Sequence, residues 1–173
     1  GIPLADILMK IVESGTENEL PAGTGGEICV TGPTVMIGYL DDPEGTEQAV
    51  RIHADGRRWV HTGDFGSMDE DGYFHFVQRI KRIIKVSGIP VFPSQIEDVI
   101  ASVRGVREVC AVGVPHPYKM QVVKAIVVPE DMDTDKEDLR ERIIGECSAK
   151  MIKHAVPVQI DFRESLPRTK VGK

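Results

Sequence analysis

The 173-residue sequence is 41% apolar and 28% charged, with a formal net charge of −6. This is the balance of a soluble globular chain, long enough for one ordinary domain or for a small domain plus part of another. The acidic total removes any overall electrostatic drive toward nucleic acid or an anionic membrane, no apolar run approaches the ~20 residues of a membrane helix, and no charged start with an apolar core marks a secretion signal.

The chain opens on Gly1-Ile2-Pro3 without a Met, as the cut end of something larger would. Ile7 to Val12 and Glu27 to Thr31 are β-type runs, separated by the turn chemistry of residues 21–26. Pro43 to Val50 suits a short helix with Pro near its start. Trp59-Val60-His61 and Tyr73 to Val77 read as two more strands, with Asp69-Glu70-Asp71-Gly72 as a hairpin-type turn between them. Ile80 to Val86 reads as a basic strand. Ser94 to Val103 is predicted helical, because Ile96, Val99, Ile100 and Val103 fall on one face and Ser94 with Glu97 forms a capping box. Val109 to Val114 and Val122 to Val128 are strands rich in β-branched residues. A second capping box, Thr134 with Glu137, precedes a helix to about Lys150 with Leu139, Ile143 and Cys147 along one stripe. Val156 to Phe162 closes the pattern as a last strand.

An α+β architecture is therefore expected. Residues 82–173 form a small C-terminal domain with a three-stranded sheet covered by helices. Residues 1–80 read as the β-rich tail of another domain, and the boundary falls at Arg79–Arg82. Cys29, Cys110 and Cys147 are far apart, odd in number and without a CxxC pair, so neither a zinc site nor a disulfide framework is indicated. Reduced thiols in the cytosol are the expectation, with Cys29 and Cys110 packed as small hydrophobes in strands.

Three segments carry chemistry. In His61-Thr62-Gly63-Asp64, a carboxylate on a tight Gly turn can accept two hydrogen bonds from a vicinal diol; a plain turn is the bland alternative. In Gln78 to Glu97, basic residues recur at 79, 81, 82 and 85, with 79, 81 and 85 on one face of a strand and 82 on the other. Such a strand can present cations to phosphates or simply discourage edge pairing. The closing Leu166-Pro167-Arg168-Thr169-Lys170-Val171-Gly172-Lys173 is a basic tail that lacks the earlier Gly and strand–helix context of a phosphate loop. His116, His75 and Trp59 have structural readings: a loop position, a surface strand position and a packed ring.

In this order the segments resemble the adenylate-forming superfamily: acyl-CoA synthetases, peptide-synthetase adenylation domains and firefly-type luciferases. The stretch Gly26-Glu27-Ile28-Cys29-Val30-Thr31-Gly32-Pro33, with Gly38-Tyr39 and Pro43-Glu44-Gly45-Thr46, is similar to one family motif. Thr62-Gly63-Asp64 matches a second, Gln78 to Glu97 a third with Gln78 where Gly is usual and Gln95 where Glu is common, and Leu166 to Lys173 the last.

The resemblance implies roles residue by residue. Asp64 holds the ATP ribose hydroxyls and Arg79 contacts the nucleotide. Lys81 is the hinge between large and small domains. Lys85 belongs to the face used in the second half-reaction, Gly88 lines the pantetheine channel, and Lys173 enters the site for adenylation. The implied enzyme uses ATP, with Mg2+ held mainly by residues upstream of this sequence, then CoA as the thiol. Its substrate is a carboxylic acid, of the fatty type by the look of residues 32–39. These residues alone, without the family's phosphate loop and acyl pocket, are expected to be inactive, and the exposed strand edges of residues 1–78 could self-associate. Two alternatives stand beside this one: an amino-acid-activating domain of a peptide synthetase, which shares the motifs, and a free-standing non-catalytic binding module. Binding of nucleic acid by the cations at 79–85 conflicts with the acidic total and the lack of interleaved aromatics.

Overall fold

The protein is described by a computed structural model over residues 1–168. It divides into two compact units, Gly1–Lys81 and Arg82–Lys173. Among the described residues, no helix is long and apolar enough to cross a membrane.

The first unit is a five-stranded antiparallel sheet with one short helix. Its strands are β1 (Leu8–Val12), β2 (Gly25–Thr31), β3 (Val50–Ile52), β4 (Arg58–Met68) and β5 (Phe74–Arg79); α1 (Pro43–Ala49) precedes β3. The eleven-residue β4 organises the sheet: β2 pairs along one edge, while β3 and β5 share the other. Alternation along β1 and β2 divides the apolar side chains between two faces. Ile11 and Ile28 pack with Phe74 on one, and Val12 and Cys29 with Trp59 on the other. The Lys10 ammonium lies over the Trp59 ring, 4.3 Å from its centroid.

Two sequence expectations change here. Thr62-Gly63-Asp64 is not a turn between strands, because β4 continues through it to Met68. Glu27 pairs with Phe65 and Cys29 with His61, so two steps on β2 face four on β4, and the excess residues form a bulge at 62–64. Gly63, at φ 71°, supplies the left-handed backbone this requires. The basic strand expected over 80–86 is also broken: Arg79 ends β5, Ile80–Arg82 is a 3-10 turn, and Lys85 lies in the separate β6 (Ile84–Val86). Positions 79, 81 and 85 therefore share no strand face.

In the second unit, β6 and β7 (Ile89–Val91) form a hairpin through Ser87 and Gly88, both with positive φ (52° and 83°). Then follow α2 (Pro93–Ala101), β8 (Val106–His116), β9 (Met120–Pro129), α3 (Lys136–Lys150) and β10 (Gln159–Phe162). The long β8–β9 hairpin is the spine. β8 covers one edge of β9, and β10, running parallel, shares the other with β6. The α+β class is as expected, but the sheet has five strands rather than three. The three-residue strands β6 and β7 are too short for a periodic signal, and Pro90 argues against a strand except at an edge. Both helices cover a contiguous apolar core that includes Ile84, Ile96, Ile100, Leu139, Ile143 and Ile160.

Both expected capping boxes are displaced. Pro93 takes the first helical position of α2, so Ser94 is inside the helix. Glu97 instead accepts from Arg82 Nη2 at 2.6 Å and from the Ala111 N–H at 3.0 Å. At α3 the cap is Asp135, not Thr134; its carboxylate accepts from the N–H groups of Glu137 and Asp138. The thiols behave as packed groups. Burial, then the Glu27 carboxylate, pushes Cys29 up to about 12. Burial, then Glu146, pushes Cys147 up to about 11, and Cys110 is raised by burial and then Glu97.

Candidate functional site

The bulge in β4 is the most densely hydrogen-bonded irregularity of the first unit. Thr62 Oγ1 donates to the Ile28 carbonyl at 2.8 Å and accepts the Asp64 N–H at 3.1 Å, which pins both sides of Gly63. The Gly63 N–H donates to Glu27 Oε1 at 3.0 Å. Asp64 stands opposite Arg79 in the β4–β5 register. Arg79 Nη1 donates to the Thr62 carbonyl at 2.7 Å and lies 3.1 Å from Asp64 Oδ1. That oxygen is buried and accepts no hydrogen bond, so the guanidinium is what offsets its charge.

A cleft of about 540 Å3 adjoins the bulge, lined by Glu27, Tyr39, Arg51, His61, Arg79 and Lys81 among others. Three of these are cations, so the cleft favours an anion. Behind it runs a buried chain of polar groups. Glu27 Oε2 is 3.1 Å from His61 Nδ1, and His61 Nε2 is 3.0 Å from His53 Nε2. His53 stacks on Trp59, whose indole N–H donates to Asp55. Burial, and next the Lys10 ammonium, hold the His53 imidazole below its ordinary value.

The second unit carries a smaller feature. Lys85 is exposed on β6, its N–H donates to Gln121 Oε1 at 2.9 Å, and it pairs with Pro90 across the hairpin. Gly88 sits at the tip, and a Cβ there would meet no atom within 4 Å. The structure thus places Arg79 and Lys81 at one cleft, with Asp64 paired to Arg79, and Lys85 and Gly88 on one hairpin. Lys81 is the last residue of the first unit. Lys173 lies outside the described residues. Among the described residues, no group of three or more His, Cys, Asp or Glu side chains could hold a metal ion.

His75, His116 and Trp59 have local protein partners or are packed. His75 is exposed and faces Asp69 Oδ2 at 2.9 Å, His116 accepts the Tyr118 N–H, and Trp59 is buried. Sequence reasoning quoted Glu27 and His61 within motifs without giving them a role, and missed His53. The available signal was a carboxylate opening the apolar run Ile28-Cys29-Val30, where a lone charge needs partners.

Residues 95–173 match the AMP-binding enzyme C-terminal domain. Over all 173 residues the chain is 42% identical to a long-chain-fatty-acid–CoA ligase of Salmonella typhimurium, covering 29% of that protein. It superposes on ATP-bound MatB from Rhodopseudomonas palustris with a TM-score of 0.87 at 34% identity, over 99% of this chain and 33% of that one. For the O-succinylbenzoate Coenzyme A synthetase MenE of Bacillus subtilis in complex with AMP, the TM-score is 0.82 at 26% identity, over 100% of this chain and 33% of that one. The chain therefore spans about a third of the length of the proteins it matches.

Proposed function

We propose that the chain, whose residues 95–173 match the AMP-binding enzyme C-terminal domain, is part of an ATP-dependent acyl-CoA synthetase acting on a carboxylic acid of the fatty type. Similarity to a long-chain-fatty-acid–CoA ligase along the whole chain supports the substrate class. The observation that carries the reading is the Asp64–Arg79 pair, whose arginine lines a cleft with Arg51 and Lys81.

In this reading a carboxylate oxygen of the acid attacks the α-phosphorus of ATP. The acyl–AMP anhydride forms, the α–β phosphoanhydride breaks, and pyrophosphate leaves. Asp64 accepts the ribose hydroxyls, and Arg79, held by the Thr62 carbonyl, adds positive charge beside the nucleotide. Two anions must meet in this step, so a cation aimed at them lowers the barrier. Lys173 supplies it. In the second step the CoA thiol attacks the acyl carbonyl, the thioester forms, AMP leaves, and the thiol proton passes to solvent. Gly88, with no side chain to obstruct, lines the path of the thiol arm, and Lys85 lies on the same hairpin. Residues 1–80 are the β-rich end of a large domain, 82–173 are a small mobile one, and Lys81 is the pivot. Mg2+ would screen the ATP phosphates and is assigned to residues beyond this sequence.

The test uses the intact protein with a panel of acids, ATP and CoA. Lys173→Ala should slow acyl-AMP formation about 100- to 1000-fold, the usual effect of removing one preorganised donor. Thioester formation from supplied acyl-AMP should persist. Equal loss of both steps would contradict the assignment.

A further inference from the structure

We infer that Glu27 is a positioning residue for the nucleotide site, acting on Asp64 and Arg79 through one peptide group of the β4 bulge; this rests on the proposed use of ATP. The amide between Thr62 and Gly63 is held at both ends. Its N–H donates to Glu27 Oε1 at 3.0 Å, and its carbonyl accepts from Arg79 Nη1 at 2.7 Å. A trans peptide points these two groups in opposite directions, so Glu27 on β2 and Arg79 on β5 grip it from the two edges of β4. Rotating that amide breaks both bonds. Gly63 cannot hold the orientation by itself, because at φ 71° with no side chain its backbone is the least restrained in the bulge. The carboxylate supplies the restraint, and Arg79, so oriented, lies 3.1 Å from Asp64 Oδ1.

Glu27 is itself fixed from behind. It is 6% exposed, and its second oxygen is committed to His61 Nδ1 at 3.1 Å. With Glu27 as a carboxylate, which only accepts, and both imidazoles neutral, His61 carries its proton on Nδ1. His61 Nε2 is then an acceptor, and His53 must donate from Nε2 across 3.0 Å. His53 Nδ1 is left bare, in keeping with its having no hydrogen-bond partner. This proton arrangement gives each of the two contacts one donor and one acceptor, and it orients the Glu27 carboxylate. Both Glu27 oxygens are occupied, so it acts through the backbone and not on the substrate.

Three variants of the intact protein test this. Glu27→Ala should raise the KM for ATP about ten- to hundredfold, the range for losing a hydrogen bond to a charged group, with the KM values for acid and CoA changing less than about threefold. Glu27→Gln keeps an oxygen for the Gly63 N–H but turns an amide NH2 toward His61. It should leave the KM for ATP within about threefold of wild type, since that one bond survives. It should also move the His61 proton to Nε2 and the His53 proton to Nδ1, as read by 15N chemical shifts of the imidazoles. Asp64→Asn is the reference for a direct nucleotide contact. The inference falls if Glu27→Ala leaves the KM for ATP unchanged while Asp64→Asn raises it, or if all three KM values rise together. Where Glu27→Ala does not fold, the tautomers in Glu27→Gln decide: reversal supports the chain of restraints and no reversal refutes it. A wild-type protein that consumes no ATP with any acid would instead remove the underlying reading, while the tautomer result would stand.

Discussion

The two units of this chain solve the problem of a stable interior in opposite ways. The second buries one contiguous apolar cluster under two helices, and its candidate functional groups, Lys85 and Gly88, ride on a surface hairpin. The first has small apolar clusters on its two sheet faces, and Glu27, Thr31, His53, His61 and Gln78, the buried polar side chains of the described residues, all lie in it. A hydrogen-bonded polar interior orders its members and is costly to disturb in part, whereas an apolar core tolerates substitutions that keep its volume. The unit that holds the bulge therefore spends its interior on orienting a backbone amide, and the unit with the hairpin spends its interior on staying folded.

The largest effect that probes this contrast is a cavity in the apolar unit. Ile143 is fully buried in α3 against the sheet. Ile143→Ala should cost about 2–5 kcal/mol, the sum of lost transfer energy and a residual cavity. Native-state hydrogen exchange at the β9 amides would report it as faster opening. A loss under about 1 kcal/mol would mean that the core collapses around the gap and is looser than its burial implies.

The same contrast explains what could be read from the sequence. Ile96, Val99, Ile100 and Val103 are recognisable at helical spacing, and Leu139, Ile143 and Cys147 at the same spacing in α3; all are buried except Val99, which is half-buried, and Val103 lies just past the end of α2. Periodicity records which face of an element meets a core, so an apolar unit is legible from it. The ends of those helices are less so, because Pro93 takes the first helical position of α2 and leaves Phe92 as its cap, and Asp135 takes the cap of α3 in place of Thr134. In the polar unit, the motif located Asp64 and Arg79 but not the bulge that brings them together. Glu27 and His61 lie 34 positions apart and meet only through the β2–β4 register, which no local pattern encodes.

A smaller effect distinguishes the hairpin from the bulge. Gly88 and Gly63 both have left-handed backbone, at φ 83° and 71°. Gly88 has open space around it, so Gly88→Ala should cost only the conformational strain, about 1–2 kcal/mol. If Gly88 lines the thiol path, acyl transfer from supplied acyl-AMP should slow while ATP–pyrophosphate exchange is retained. Equal slowing of both would assign the glycine to hairpin geometry alone.

The smallest expected effect belongs to the far end of the buried polar chain. His53 is buried beside Trp59 and His61, with Lys10, Glu17 and Asp55 as the charged groups acting on it. Burial first, and Lys10 next, lower its pKa from the ordinary 6.5, so the folded protein keeps it neutral where the unfolded chain takes up a proton. Stability from the neutral ring is complete above the unfolded value. It declines as pH falls from 6.5 toward the lowered folded value, and levels off below that, since both states are then protonated. The urea midpoint of the first unit should accordingly drop between neutral and mildly acidic pH. His53→Gln can still donate to His61 Nε2 but cannot titrate, so it should flatten part of that slope, and the difference between the two profiles isolates His53 from the other titrating groups. An identical slope in the variant would show that protonation of His53 is absorbed without loss, and that the polar interior is less exacting than its geometry indicates.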